Sequence, residues 1–163
     1  MAKKQASQGT PATAVLAVAG VPFTLHPYAH DPSAPSYGLE AAEVLGIDPE
    51  RVFKTLMVDI DGKLAVGIVP VSGTLDLKAI AAALGSKKAT MADPKMAERR
   101  TGYVLGGISP LGQRQPSPTV LDESALAFGT VLVSGGRRGL DIELDPADLI
   151  RLTGARTASI GSP

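Results

Sequence analysis

Apolar and polar positions follow two rhythms along this chain, and the switch between them recurs. Thr10 and Pro11 precede an apolar stretch ending at Gly20, the pattern of a capped helix with proline in its first turn and glycine at its stop. "PFTLHPY" then reads as extended. Ser36 precedes "YGLEAAEVLG", where Leu39, Ala42, Val44 and Leu45 mark one helical face before Gly46. "RVFKTLMVDIDGKLAVGIVPV" reads as two strands joined at Asp61-Gly62, because Asp-Gly supplies the positive backbone angles a tight hairpin needs. "LDLKAIAAALG" is a short helix stopped by Gly85. "ADPKMAERRTG" is another, capped by Asp93, and Asp145-Pro146 opens a last one ending at Gly154. "PTVLDE", "GTVLVS" and "LDIEL" read as strands. Elements so interleaved, without a repeat, predict a single mixed α/β domain around a curved sheet.

The chain has 163 residues, one domain's length. Residues 1–10, "MAKKQASQGT", are assigned to a flexible tail and residues 11–163 to the domain. No apolar run approaches the ~18 residues of a membrane span, and no greasy core follows the first lysines as a secretory signal requires. A cytoplasmic address fits. With no cysteine in the chain, disulfides, thiolate metal sites and a cysteine nucleophile are excluded.

Formal charge is zero, which argues against a protein that coats nucleic acid by bulk electrostatics. The charge is uneven, however. From Asp31 to Asp61 seven acids face two bases, whereas from Lys87 to Arg138 eight bases face four acids. Such a polarity either presents a modest basic surface to a nucleic acid or reflects ordinary solvated faces.

Candidate chemistry is sparse. Lys54 lies inside the apolar strand "VFKTLMV", level with Val52, Leu56 and Val58, so it either snorkels out at an edge or points into a cleft. As a cation in a cleft it would meet an anionic or carbonyl group. Gly106-Gly107 and Ser109-Pro110 form either a plain turn or a loop whose amides hold an oxygen. "SGGRRGLDIEL", residues 134–144, is either a solvated hairpin tip or a ligand-facing turn carrying two forked cations. His26 and His30 do not read as a metal pair, since Pro27 and "HDP" break the helix that would align them. A Ser134, His30 and Asp141 triad is disfavoured, because no Gly-x-Ser-x-Gly elbow presents the serine.

The ordered series "LHPYAHDP", "VFKTL", "LDLKAIAAALG", "MADP", "TGYVLGGISPLGQ" and "SGGRRGLDIEL" resembles the YbaK family of aminoacyl-tRNA editing proteins across nearly the whole chain. In detail it is similar to the free-standing Cys-tRNA(Pro) deacylases, relatives of the editing domain in bacterial prolyl-tRNA synthetases. The resemblance implies a barrel-like mixed sheet capped by helices. It also implies an enzyme that removes cysteine from mischarged Cys-tRNA(Pro), with no cofactor or metal and no membrane or DNA partner. Prolyl-tRNA synthetase is the implied transient partner.

Carried over residue by residue, Lys54, Gly106 and Asp141 fall on catalytic positions. Tyr28, Thr55, Ser134, Gly135, Arg137 and Arg138 fall on substrate-binding ones, with Arg137 standing where many relatives have lysine. The implied nucleophile is the substrate's own thiol, which closes a thiolactone. Lys54 would then fix the ester or terminal adenosine, amides near Gly106 would serve the oxyanion, and Ser134 and Asp141 would position the aminoacyl group. Two other readings stay open: removal of alanine from Ala-tRNA(Pro), and a non-catalytic module binding tRNA or synthetase.

Overall fold

Thr10 caps the first helix, α1 (Pro11–Ala19), by accepting from the Thr13 N–H, and Gly20 closes it in the left-handed region. The protein was examined as a computed structural model that describes residues 9–34 and 36–163; most of the tail expected over residues 1–10 therefore lies outside the described residues. The other predicted caps also form. Ser36, Asp93 and Asp145 accept backbone N–H groups at the starts of α2 (Tyr37–Leu45), α4 (Pro94–Thr101) and α5 (Pro146–Thr153), and Asp76, for which the sequence reading named no cap, does the same for α3 (Leu77–Ala83).

The strands are β1 (Phe23–Pro27), β2 (Phe53–Ile60), β3 (Lys63–Pro70), β4 (Thr74–Leu75), β5 (Thr90–Met91), β6 (Thr119–Asp122), β7 (Val131–Arg137), β8 (Leu140–Leu144), β9 (Arg156–Ala158) and β10 (Gly161–Ser162). Asp61 and Gly62, at φ 54° and 83°, turn the predicted hairpin between β2 and β3. A 3₁₀ turn follows β6 at Glu123–Ala127.

The mixed α/β architecture is as expected, but the sheet does not close into a barrel. One five-stranded sheet runs β5-β2-β3-β6-β9, with β6 parallel to both neighbours; a separate antiparallel sheet runs β1-β8-β7, and β4 pairs with β10. The two larger sheets touch through one parallel bridge, Val52 to Leu132, backed by the Leu132 N–H donating to the Arg51 carbonyl. Between them lies the main core, filled by Phe53, Met57, Ile68, Leu121, Val133 and Ile142 among others. The opposite face of the five-stranded sheet is covered by α3 and the C-terminal segment, through Ile80 and Ile160.

Helix α2 departs from its predicted face. It buries Glu40, Ala41 and Ala42, while Leu39 and Val44 are 46% and 56% exposed. The cause is polar: the Glu40 carboxylate accepts from the Asp31 N–H at 2.6 Å and meets His30 Nδ1 at 2.8 Å. The helix turns its acid inward to anchor the loop before it.

The C-terminal segment hangs on one buried carboxylate. Asp122 Oδ1 accepts from the Ile160 and Gly161 N–H groups at 2.9 and 2.8 Å, and Oδ2 accepts from Ser124 Oγ at 2.6 Å. Burial alone would raise its pKa, but these hydrogen bonds outweigh burial and hold it below the usual carboxylate range. Asp122→Ala is expected to cost about 2–3 kcal/mol in urea unfolding, because it leaves the buried Ile160 N–H unpaired; Asp122→Asn, which keeps one acceptor, should lose less. Equal stability of wild type and Asp122→Ala would contradict this account.

Candidate functional site

Strand β2 is paired with β3 along its whole length, but its other edge is shared. At Val52 that edge touches β7, and at Val58 and Asp59 it meets β5. The Arg51 and Met57 carbonyls accept from Leu132 and Ala92 across this edge. By the two-residue alternation of a strand, the peptide groups of Phe53 and Thr55 between them face the gap. A pocket of about 490 Å³ opens there.

Seven of the nine carried-over residues line it: Tyr28, Lys54, Thr55, Gly106, Ser134, Arg137 and Asp141. The register explains several of them. Ser134 sits directly across from Asp141, and Asp141 across from His26, so these side chains share one face of the three-stranded sheet. Two residues beyond the Val52–Leu132 bridge, the same parallel register brings Lys54 level with Ser134. Tyr28 follows β1, its N–H donating to the Gly139 carbonyl at 2.9 Å.

The pocket's polar groups are under-used by the protein. Thr55 Oγ1 is buried without a hydrogen-bond partner. Among the described residues Lys54 has no ion pair, and burial lowers its pKa. Asp141 is only 6% exposed, and burial pushes its carboxyl up to about 7. Burial first, then the Asp141 charge, raises the Tyr28 phenol to about 12, so it stays protonated as a donor. Ser134 Oγ accepts from the Gly136 N–H at 3.2 Å, which leaves its own proton free for a ligand. A half-buried cation, a buried acid and partly buried hydroxyls without mutual pairing form a site prepared for a ligand with complementary groups.

Gly135 and Arg138 do not line the pocket, and each has a different task. A Cβ on Gly135 would meet Leu140 Cγ at 2.7 Å, so this glycine is where a bulge between Ser134 and Arg137 packs onto its own hairpin. The bulge keeps Ser134 opposite Asp141 although the strand lengths differ. Arg138 donates through Nε and Nη2 to the Leu105 carbonyl at 3.0 and 2.6 Å, and its guanidinium lies 4.6 Å from the centre of the Tyr37 ring. From the other side the Leu105 N–H donates to Glu98 Oε2 at 3.0 Å.

The Leu105 backbone is thus clamped at both its N–H and its carbonyl, which fixes the Gly106 turn at the pocket wall. Gly106 has φ 84°, and a Cβ there would strike Arg138 Nε and Tyr37 at 2.7 Å. A Cβ on Gly107 would meet the Arg137 backbone at 2.9 Å. The paired glycines are therefore demanded by close approach of two chain segments.

Residues absent from the sequence reading also line the site. Tyr37, Met57, Met91, Pro94 and Ala97 give it an apolar side. Of these, Pro94 and Ala97 share a face of α4, a spacing legible in the sequence had a target for that face been known. Both histidines are engaged elsewhere: His26 Nε2 with Glu143 at 2.7 Å, and His30 Nδ1 with Glu40. The disfavoured triad does not assemble. Among the described residues no cluster of histidine and carboxylate side chains could hold a metal ion, and no helix is long and apolar enough to cross a membrane.

The Cys-tRNA(Pro)/Cys-tRNA(Cys) deacylase EbsC of Enterococcus faecalis is 39% identical over 162 residues, covering 98% of each chain. A proline–tRNA ligase of Acidithiobacillus ferrooxidans is 33% identical over 103 residues, 63% of this chain but only 18% of the ligase. A crystal structure of a trans-editing enzyme for prolyl tRNA synthetase is similar with a TM-score of 0.81 and 25% identity, covering 94% of this chain and 96% of that one. Residues 31–152, which contain the β2 edge, the clamped glycine turn and the Ser134–Asp141 pair, match the aminoacyl-tRNA editing domain, and the chain belongs to that family.

Proposed function

We propose that this aminoacyl-tRNA deacylase clears cysteine from mischarged Cys-tRNA(Pro) as a free-standing cytoplasmic editing domain spanning residues 11–163, with prolyl-tRNA synthetase as a transient partner. One observation carries the reading: the pocket gathers binding and charge-stabilising groups, but among the described residues neither the Ser134 nor the Thr55 hydroxyl in it is hydrogen-bonded to a base. The chain has no cysteine, and both histidines are held by carboxylates outside the pocket. The nucleophile then comes from the substrate.

In this mechanism the cysteinyl thiol attacks its own ester carbonyl. A C–S bond forms, the ester C–O bond breaks, and the thiol proton passes to the departing ribose oxygen. The product is a small thiolactone, which water opens to free cysteine. The protein holds the two reacting groups together, so the step gains the advantage of an intramolecular reaction. Lys54 faces the ester or the terminal adenosine, and the Gly106 turn, fixed by Glu98 and Arg138, offers amides to the oxyanion. Asp141, with Ser134 beside it, receives the substrate amine, and the Thr55 and Tyr28 hydroxyls fill the remaining polar contacts.

A second reading rests on Asp141. A buried carboxylate titrating near 7 is matched to general-base work on water, which a thiol-free alanyl ester would require. Measured deacylation of Cys-, Ser- and Ala-tRNA(Pro) separates the two. Serine is nearly isosteric with cysteine but a far weaker nucleophile, so Ser-tRNA(Pro) should be cleaved on the order of 100-fold more slowly, with a thiolactone trapped early from the cysteinyl substrate. Equal release of serine, or faster release of alanine, would assign the water mechanism instead.

Lys54→Ala should lower kcat/KM by about 100-fold or more while the melting curve is retained, since one donor aimed at a developing charge contributes on that scale. Lys54→Arg should restore little, because a planar fork does not replace a compact ammonium. Full turnover by a folded Lys54→Ala protein would remove Lys54 from the site.

The pH dependence follows from Asp141. Its folded pKa of about 7 lies above the unfolded value, so the folded state binds the extra proton and stability falls as pH rises between about 4 and 7. Asp141→Asn removes that loss. At pH 8 it should be more stable than wild type by on the order of 3 kcal/mol, with little difference at pH 4. Wild-type affinity for an aminoacyl ester with a charged amine should tighten as pH rises through about 7, and this rise should vanish in Asp141→Asn. A flat wild-type profile would contradict the assignment.

A further inference from the structure

Helix α4 separates the candidate site from a second concavity. Pro94 and Ala97 face the site, whereas Met96, Arg99 and Arg100, on roughly the opposite side of the helix, line a groove of about 520 Å³ together with Lys63 and Gln115. No carboxylate lines this groove. The nearby acids accept from neutral donors, Glu98 from the Leu105 N–H, Asp93 from the Met96 N–H, Asp59 from the Gly62 N–H and Asp61 from Ser86 Oγ, and among the described residues none forms an ion pair with the groove's cations.

The three cations are not neutralised. Arg100 donates only to neutral acceptors, Ser117 Oγ, Gln115 Oε1 and the Pro116 carbonyl, which fix its guanidinium in place without cancelling its charge. Among the described residues neither the Lys63 nor the Arg99 side chain has an ion pair or a hydrogen bond, and both residues are exposed. In a chain of zero net charge, a groove lined by three free positive charges is a local feature rather than a consequence of composition.

We propose that this groove binds the phosphodiester backbone of the tRNA acceptor end whose ester enters the site, an inference that rests on the proposed function. A helix is about 10–12 Å across, so a strand leaving the site and crossing α4 reaches the groove within roughly three nucleotides at about 3.4 Å of rise each. Lys63 and Arg99 then contact phosphates, and Arg100 forms the rigid floor. Because backbone contacts carry no sequence information, the groove sets affinity and salt dependence and leaves tRNA identity to other determinants.

Binding of uncharged tRNA to the full chain, titrated against salt, tests the groove without requiring catalysis. Lys63→Gln combined with Arg99→Gln should flatten the log–log salt slope by about 1.5 and weaken binding on the order of 10-fold near physiological salt. Lys87→Gln combined with Lys88→Gln, an equal charge change at exposed positions outside the groove, should leave the slope as it is. Equal losses in both pairs would mean diffuse electrostatics and overturn the proposal. Unchanged tRNA binding in the Lys63/Arg99 pair would also overturn it, and loss of stimulation by synthetase in that case would give the groove to an acidic protein surface. If wild type binds tRNA as described yet deacylates no substrate, the groove stands and the proposed activity fails.

Discussion

The site depends on strand β2 being interior for part of its length and an edge for the rest. Its N-terminal end is held against β7 by the Val52–Leu132 bridge, and its C-terminal half is covered by β5. Between these points no strand pairs with it, and an unpaired edge presents peptide groups to whatever lies beside it. Here that edge faces an open pocket. Lys54 and Thr55, neighbours on one strand with opposite side-chain directions, both reach the pocket because it opens at the edge and not on a face.

Around that gap the protein accumulates groups that are poorly satisfied without a ligand. A partnerless Thr55 hydroxyl, an unpaired Lys54 and an Asp141 carboxyl raised to about 7 all cost folding free energy. That cost is tolerable because the two larger hydrophobic clusters are extensive: the main one forms part of the pocket wall through Phe53, Met57, Ala97 and Ile108 and continues well beyond it. The arrangement matches a general expectation, that local rules are broken where function is located and kept elsewhere.

The rigid wall opposite the gap is built by side chains that never enter the pocket. Glu98 and Arg138 hold the Leu105 N–H and carbonyl, in successive peptide groups, Tyr37 stacks beneath the guanidinium, and two glycines let the turn approach the hairpin backbone. Preorganised donors of this kind need no rearrangement during reaction, which is where their advantage over water lies. Arg138, expected to touch substrate, holds the turn through the Leu105 carbonyl. Its neighbour Arg137 does reach the pocket, so adjacent cations divide the work by the direction the hairpin gives them.

Most of the regular structure was legible in the sequence because its signals are local. Thr10, Ser36, Asp76, Asp93 and Asp145 cap helices through groups two or three residues away, and Asp61-Gly62 turns a hairpin within its own backbone. The oddity of Lys54 in an apolar strand was visible for the same reason. The short strands β4, β5, β9 and β10 were not, since two or three residues carry no period. The inward turn of Glu40 was hidden because its partners, His30 and the Asp31 N–H, come from a separate loop. Tertiary structure alone decided that the sheets stay open, that β2 has an unpaired stretch, and that Arg138 faces Leu105. Each depends on contacts between segments distant in the chain, such as the 80 positions between Val52 and Leu132, and no local preference encodes them.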